Sequence, residues 1–574
     1  MTRPIPVFRF AACATLIALI AHSAAAAQNR APASDLKSPA NPPLPPSFSL
    51  VIAPPENAPS AEAEPEPAIL SPLAGAIRSA LQGRTGFDRA ADKELFAAVR
   101  AFYAQARFQP AWMKDGRPSA QARAMVERIA RARYDGLKAS DYRLPALYRL
   151  RERNPERAAR ADVAFSFQVA RFMTHLAAGR IAPAAVSHRI THKPQKPDVG
   201  DILTRLSHDE DVGRAVRKFE PPHPQYWALK DRLAGMLADG KDDEPVPQIA
   251  GGRSLRFGLR DWRVAVLRAR LDIPAQADGD PQIFDKEIEQ AVKAYQKANN
   301  LHADGIVGPR TRAMLNGAHG QSEAATLIAN LERWRWIPRD LMAFNVMVNV
   351  PEFRLRVMSD GRPVHETRVI VGKPKNPTPI FSDEIEHIVV NPYWNVPTSI
   401  LREEMLPSAQ RNPYFFSDNG YQVLAQTRGH MRIVDPWSID WFRVNPATIR
   451  IRQPPGTSNA LGRIKFLFPN RHAVYLHDTP SKSLFARSSR ALSHGCVRVQ
   501  NPMEFADALL AHEPKWDAAR LRTLFGGKEK WVTLETRVPV HMTYFTARVE
   551  ADGTLRRITD LYGYDAKLRR LMGI

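Results

Sequence analysis

Cysteine is nearly absent from the 574 residues, with only Cys13 and Cys496 present. A disulfide scaffold is thereby excluded. Long apolar runs are as scarce: the N-terminus carries the only one, and with a mean hydropathy of −0.35 a polytopic membrane protein is excluded. Acidic residues are in deficit, 59 against 81 Lys and Arg, a formal net charge of +22. Such a surface seeks polyanions: nucleic acid, anionic lipid or a carboxylate-rich polymer. What is present is a globular composition, 44% hydrophobic and 24% charged, so wholesale disorder is excluded. The length exceeds one ordinary core and calls for several domains.

Residues 1–27 have the three-part form of a cleaved signal peptide: Arg3 and Arg9, an apolar run from Phe10 to Ile20, then small residues at Ala24–Ala27. The run is short for a membrane anchor, and Phe10-Ala11-Ala12 fits a lipid-attachment motif at Cys13 poorly. Cleavage leaves Cys496 as the one cysteine of an exported chain. A lone thiol in an oxidising compartment is a liability unless buried, paired between chains or catalytic. Export also removes nucleic acid as the natural partner of the positive charge, leaving wall polymer and anionic lipid.

Residues 28–70 are rich in Pro, Ala and Ser and read as an extended tether without a core. Residues 71–250 read as a helical scaffold. Leu95, Val99, Phe102 and Tyr103 form one apolar stripe, and Phe165, Val169, Phe172, Met173 and Leu176 form another that ends at Gly179. These stripes read as core packing. Residues 251–318 read as a small three-helix module, with Val264, Leu267 and Leu271 on one face, Ile288, Ala291, Val292 and Tyr295 on a second, and an Asp304-Gly305 turn. From 319 to 550 the pattern turns β-rich. Phe344–Val350 and Phe353–Val357 read as strands, Asp360-Gly361 as a hairpin turn, and Val369–Val371, Ile388–Val390 and Ala473–Leu476 as further strand signal. Residues 402–450 form an aromatic-rich insertion, expected over or beside the site, and 551–574 a C-terminal tail. The fold class expected is α+β and multidomain.

The chemistry concentrates in two strings, Val474-Tyr475-Leu476-His477-Asp478-Thr479 and Ser493-His494-Gly495-Cys496-Val497-Arg498-Val499. Strand alternation puts Tyr475 and His477 on one face. A thiol is a poor nucleophile and the thiolate a good one, so a base must take the proton, and His477 is the candidate. His494, two residues before the cysteine, fits an oxyanion-region role better than that of the base. Gly495 permits unusual backbone angles, so the Gly495 and Cys496 N–H groups are candidates for the oxyanion. Asn501-Pro502-Met503-Glu504 then starts a helix whose positive end lies nearby. Cys496 as a mere buried hydrophobe is disfavoured by these neighbours. His472, His477, His494 and Cys496 match no usual zinc spacing, and a papain-like order would put the cysteine before the histidine.

The string FDKEIEQAVKAYQKANNLHADGIVGPRTRAMLN resembles the peptidoglycan-binding domain that accompanies wall enzymes. The His…Ser-His-Gly-Cys arrangement resembles the signature of the L,D-transpeptidases. NLERWRWIP, NPYWNVPTSI, RQPPGTSNALGRIKFLFPN and YLHDTPSKSLF are similar to its large Gram-negative, YcbB-like branch, over most of the chain after the tether. The sequence departs from many relatives at Thr378-Pro379-Ile380-Phe381, where they carry a glycine after Thr-Pro-x. The resemblance implies a periplasmic enzyme that forms 3→3 crosslinks in peptidoglycan through a cysteine thioester, with no metal and no organic cofactor. Its donor would be a tetrapeptide stem and its acceptor the diaminopimelate amine of a second stem, with 251–318 holding the wall polymer. By position, Cys496 is the nucleophile, His477 the base, and Ser493, His494, Gly495 and Arg498 shape the site. Tyr475 and Trp394 are candidate substrate contacts. The same residues serve an L,D-carboxypeptidase that gives the acyl group to water, and the scaffold and wall module alone would serve a non-catalytic wall-binding protein.

Overall fold

The structure, a computed structural model, describes residues 70–82, 90–114, 117–145, 154–238, 248–271, 273, 280–298, 301–319, 323–427 and 429–574. The expected export signal, 1–27, and the tether, 28–70 apart from Leu70, lie outside the described residues.

The helical part is organised by the helix Pro155–Ala178. Pro155 takes its first position, where no N–H is needed, and Asn154 Oδ1 accepts the N–H groups of Glu156 and Arg157 at 2.9 and 3.2 Å. It ends at Gly179, whose φ of +85° suits glycine. The expected stripe of Phe165, Val169, Phe172, Met173 and Leu176 is buried against apolar residues of Pro72–Gln82, Ala90–Gln105 and Val199–His208.

The small module packs the helices Arg263–Arg270, Lys286–Ala298 and Pro309–His319 around Leu255, Val264, Leu267, Phe284, Ile288, Val292 and Val307. Buried Gln296 fixes the Asp304-Gly305 turn: its amide donates to Asp304 Oδ1 at 2.8 Å and accepts from Gly305 N–H at 2.8 Å. Phe257 and Trp262 stay exposed, each at 59%.

The β-rich part is a sheet of nine strands: β1 Phe344–Asn349, β2 Arg354–Ser359, β3 Arg362–Gly372, β4 Ser382–Val390, β5 Ile464–Leu467, β6 Leu476–His477, β7 Ala491–Ser493, β8 Val497–Val499 and β9 Lys530–Thr543. The order is β7-β3-β8-β6-β5-β4-β9-β1-β2, and β2 pairs again with β3. Eight strands thus close on themselves with β7 appended, and the alternating Val, Ile and Phe of their inner faces fill the interior. Asp360 and Gly361 both have positive φ, 49° and 76°, as a two-residue turn between β2 and β3 requires. The expected strand at Ala473–Leu476 is shorter: only Leu476–His477 pairs, because Ala473 adopts φ 51° and turns the chain out of the ladder.

Residues 394–453, a wider span than the expected 402–450, form a four-stranded sheet of their own. Trp394–Asn395, Ile449–Gln453, Gln422–Thr427 and His430–Val434 pair in that order. Phe416, Val423, Trp441, Ile449 and Ile451 make its core. The expected tail, 551–574, is built into the fold: Leu555–Arg557 pairs with Ala547–Val549, and the helix Tyr564–Met572 buries Leu568 and Met572 in the barrel's core cluster.

One helix, Glu323–Trp334, joins these parts. Glu332 and the following Arg335 are both wholly buried and bond at 3.3 Å. Glu332 Oε1 accepts the N–H groups of Arg180 and Ile181 at 2.6 and 2.7 Å. Arg335 donates to the carbonyls of Leu176 and Asp135 at 3.1 and 2.6 Å. On the same helix, Arg333 pairs with Asp565 of the C-terminal helix at 2.5 Å. Arg335→Met would strand a buried carboxylate, and we expect it to cost about 3–5 kcal/mol, read as a lower denaturation midpoint; an unchanged midpoint would show that the pair does not join the domains.

Candidate active site

The sheet brings the two chemical strings together. β6 and β8 run parallel and side by side, with Leu476 opposite Val497 and His477 opposite Arg498. One step back, the Tyr475 carbonyl accepts Val497 N–H at 3.1 Å. Alternation puts Tyr475, His477, Cys496 and Arg498 on one face. Tyr475 and His477 meet edge to face with ring centroids 5.6 Å apart.

The turn that carries Cys496 is held from below. Ser493 Oγ accepts Gly495 N–H at 3.1 Å and donates to the Cys496 carbonyl at 2.5 Å. Thr378 Oγ1 donates to the Gly495 carbonyl and accepts Gly372 N–H, both at 2.8 Å. Gly495 lies at φ +122°, a conformation that side chains other than glycine's rarely adopt. Gly372 is needed for a different reason: a Cβ there would run into the Asn376 carbonyl. The loop at Thr378, where the sequence departs from many relatives, therefore supports the Cys496 turn. Of the two N–H groups considered for an oxyanion, that of Gly495 is engaged by Ser493.

His477 is buried, and its Nδ1 lies 2.5 Å from the Asp478 carbonyl. A carbonyl only accepts, so Nδ1 carries the proton and Nε2 keeps its lone pair. Burial, with Arg498 alongside, pushes the imidazole down to about 3. Asp478 is fixed in turn by Arg463 N–H at 2.9 Å and Lys482 Nζ at 2.6 Å. Burial raises the Cys496 thiol, while Tyr475 and then Arg498 act to lower it. Thiol and imidazole are therefore both driven toward their neutral forms. Among the described residues no hydrogen bond joins His477 to Cys496; Sγ faces the Ala473 carbonyl at 3.9 Å. Catalytic contacts commonly tighten only when substrate binds.

Arg498 lines a polar cleft of ≈ 570 Å³ with Tyr421, Gln453, Thr479 and Ser481, where the insertion meets the barrel. Trp394 does not line the cleft itself: it is half-buried in the insertion's apolar cluster beside two residues that do, opposite Gln453 and 6.2 Å from the Tyr421 ring. His494 points to the insertion, with Nε2 2.5 Å from Glu404 Oε1. Thr378, Ala473 and Asp478 were named in the sequence only as members of longer strings, without these roles. The Thr378 hydroxyl bridges Gly372 and Gly495 across the chain, and Ala473 turns at φ 51°, neither of which any spacing announces.

Residues 344–540 match the L,D-transpeptidase catalytic domain, 264–315 the "Putative peptidoglycan binding domain", and 97–233 the "Scaffold domain". A curated protein of Haemophilus influenzae named "Putative L,D-transpeptidase" is 38% identical over 244 residues, which are 42% of this chain and 48% of that protein. The chain thus spans about half the length of the curated relative it matches. A solved L,D-transpeptidase from Xylanimonas cellulosilytica is 18% identical over 51% of this chain and 99% of its own, with a TM-score of 0.15. One from Stackebrandtia nassauensis is 14% identical over 52% and 96%, with a TM-score of 0.20. At those scores the overlay carries no argument. The domain matches do: the chain carries an L,D-transpeptidase catalytic domain and a peptidoglycan-binding module on a helical scaffold, as the resemblance implied.

Two changes in thiol reactivity are expected. Iodoacetamide alkylation of Cys496 should have its midpoint above the ordinary thiol value of about 8.5; a midpoint below 7 would reveal a preformed ion pair. Tyr475→Phe removes a donor to the thiolate and should raise that midpoint by about one unit, the equivalent of one charged hydrogen bond.

Proposed function

We propose that the protein is a peptidoglycan L,D-transpeptidase acting outside the cytoplasm, and that it forms 3→3 crosslinks through a thioester on Cys496. The observation that carries the reading is the shared face of Cys496, Tyr475 and His477, with the His477 tautomer set by Asp478, inside a domain matched to that family.

In this reading the Cys496 proton passes to His477 Nε2 as sulfur attacks the carbonyl at the L-centre of diaminopimelate in a tetrapeptide stem. With the Gly495 N–H occupied, the Cys496 N–H is the donor left for the oxyanion. The carbon–nitrogen bond breaks, and the departing D-alanine amine takes the proton from His477. The side-chain amine of a second stem then attacks the thioester carbonyl and gives a proton to His477, which passes it to the Cys496 sulfur as the carbon–sulfur bond breaks. The site needs no ATP, because bond energy is kept in the thioester. Burial keeps His477 neutral near pH 7, so its Nε2 lone pair is available to accept the proton.

The test is intact mass spectrometry with a tetrapeptide stem. We expect an adduct of the stem less D-alanine, absent in Cys496→Ala; crosslinking near the normal rate in that variant would overturn the assignment. His477→Ala should slow acylation by about 10²–10⁴-fold with little change in affinity.

The module at 251–318 is proposed as the wall anchor, with exposed Trp262 and Phe257 as its candidate contacts. Deleting it should weaken binding to isolated sacculi and leave turnover of small soluble stems largely unchanged. Binding of the intact protein should also weaken as salt rises, given the +22 charge. Equal sacculus binding with and without the module would refute its role.

A further inference from the structure

Two acidic side chains leave the insertion and reach the loop that follows β3. Glu404 Oε1 lies 2.5 Å from His494 Nε2 and 3.6 Å from Lys373 Nζ. The two nitrogens are themselves 3.1 Å apart. Beside them, Glu403 Oε2 lies 3.6 Å from Lys375 Nζ. Partial burial pushes the Glu404 carboxyl up, but His494 and Lys373 outweigh it and hold it below the usual carboxylate range.

The two halves of this contact are built differently. Lys373 belongs to the barrel: its N–H donates to the Ser493 carbonyl at 2.9 Å, and the adjacent Gly372 is pinned by Thr378 and by Tyr562, which donates to the Gly372 carbonyl at 2.7 Å. His494 is two residues from Cys496, in the turn that Ser493 and Thr378 hold. The backbone that presents both side chains is thus placed without Glu404. Glu404 sits on a single π-helical turn, Leu401–Met405, between the short helices Thr398–Ile400 and Leu406–Arg411. Such turns are irregularities that cluster at functional positions.

We propose that Lys373 and His494 form a carboxylate-binding subsite of the catalytic cleft, and that Glu404 of the insertion fills it in place of the donor's terminal carboxylate. The identity of the ligand rests on the transpeptidase reading. There, the leaving D-alanine carries its carboxylate within one residue of the bond that Cys496 attacks, which suits a cationic site two residues from that sulfur. Donor binding then exchanges one carboxylate for another, and the insertion is released from the catalytic turn as the donor seats. The outer Lys375–Glu403 pair keeps the π-turn beside the cleft meanwhile.

The experiment needs no turnover, so its outcome is independent of the thioester assay. Cys496 in the full chain is alkylated with iodoacetate, an anion, and with iodoacetamide, its neutral counterpart, and the labelled peptide is quantified by mass. Glu404→Gln removes the resident negative charge and leaves Lys373 unneutralised while conserving shape. We expect it to raise the ratio of iodoacetate to iodoacetamide rates about two- to fivefold, the range for one partly exposed ion pair. Adding Lys373→Met to Glu404→Gln should return the ratio to its starting value. The iodoacetamide rate reports whether the thiol environment survives in each variant. An unchanged ratio in Glu404→Gln would overturn the subsite, and equal acceleration by both reagents would show that Glu404 only shields the thiol. A gain that persists without Lys373 would overturn the assignment of that lysine.

Discussion

The buried Glu332–Arg335 pair is the constraint on which the arrangement of domains depends. Two opposite charges removed from water are tolerated only when the rest of their hydrogen-bonding capacity is used. Here it is used on backbone that belongs to other parts of the chain: the N–H groups of Arg180 and Ile181, and the carbonyls of Leu176 and Asp135. Tyr226 Oη adds a third segment at 3.2 Å from Arg335. A shift of the scaffold against this helix would leave several buried groups unpaired at once. The scaffold therefore serves as a rigid mount for the barrel, and the helix Glu323–Trp334 is the joint.

Much of this fold was legible in the sequence, for reasons that differ by element. The stripe from Phe165 to Leu176 and the alternation in Phe344–Val350 are local periodicities, and both lie in elements of the expected kind. Asp360-Gly361 is legible because few residue pairs accept two positive φ angles in succession. The insertion's sheet was not legible, because Ile449–Gln453 pairs with both Gln422–Thr427 and Trp394–Asn395, and pairing across such distances leaves no periodic mark. The role of Glu332 was hidden for the same reason: NLERWRWIP stands out as a string, but its partners lie about the residues 135, 176 and 180. At the site, the approach of β6 to β8 was foreshadowed by the two strings, whereas the bridge from the Thr378 hydroxyl to the turn was not.

The electrostatics of the site follow from burial more than from charge pairing. Desolvation holds the imidazole of His477 down and the thiol of the partly exposed Cys496 up, so each resists ionisation. A neutral resting thiol is also protected against oxidation, since the thiolate is the form that oxidants attack. Tyr475 and Arg498, on the same face as the thiol, are the groups that favour its anion once it forms.

The insertion leaves the barrel after β4 and returns before β5, and its first and last strands are hydrogen-bonded neighbours, with Trp394 opposite Gln453 and Asn395 opposite Arg452. A segment whose two ends meet in this way is a detachable excursion from the sheet. Exchanging what lies between those ends changes the closure entropy only slowly with length, and it moves none of the strands that carry Cys496 and His477. The roof of the cleft can therefore diverge in size and sequence while the floor stays fixed, so that selectivity and chemistry are open to separate evolutionary change in this architecture.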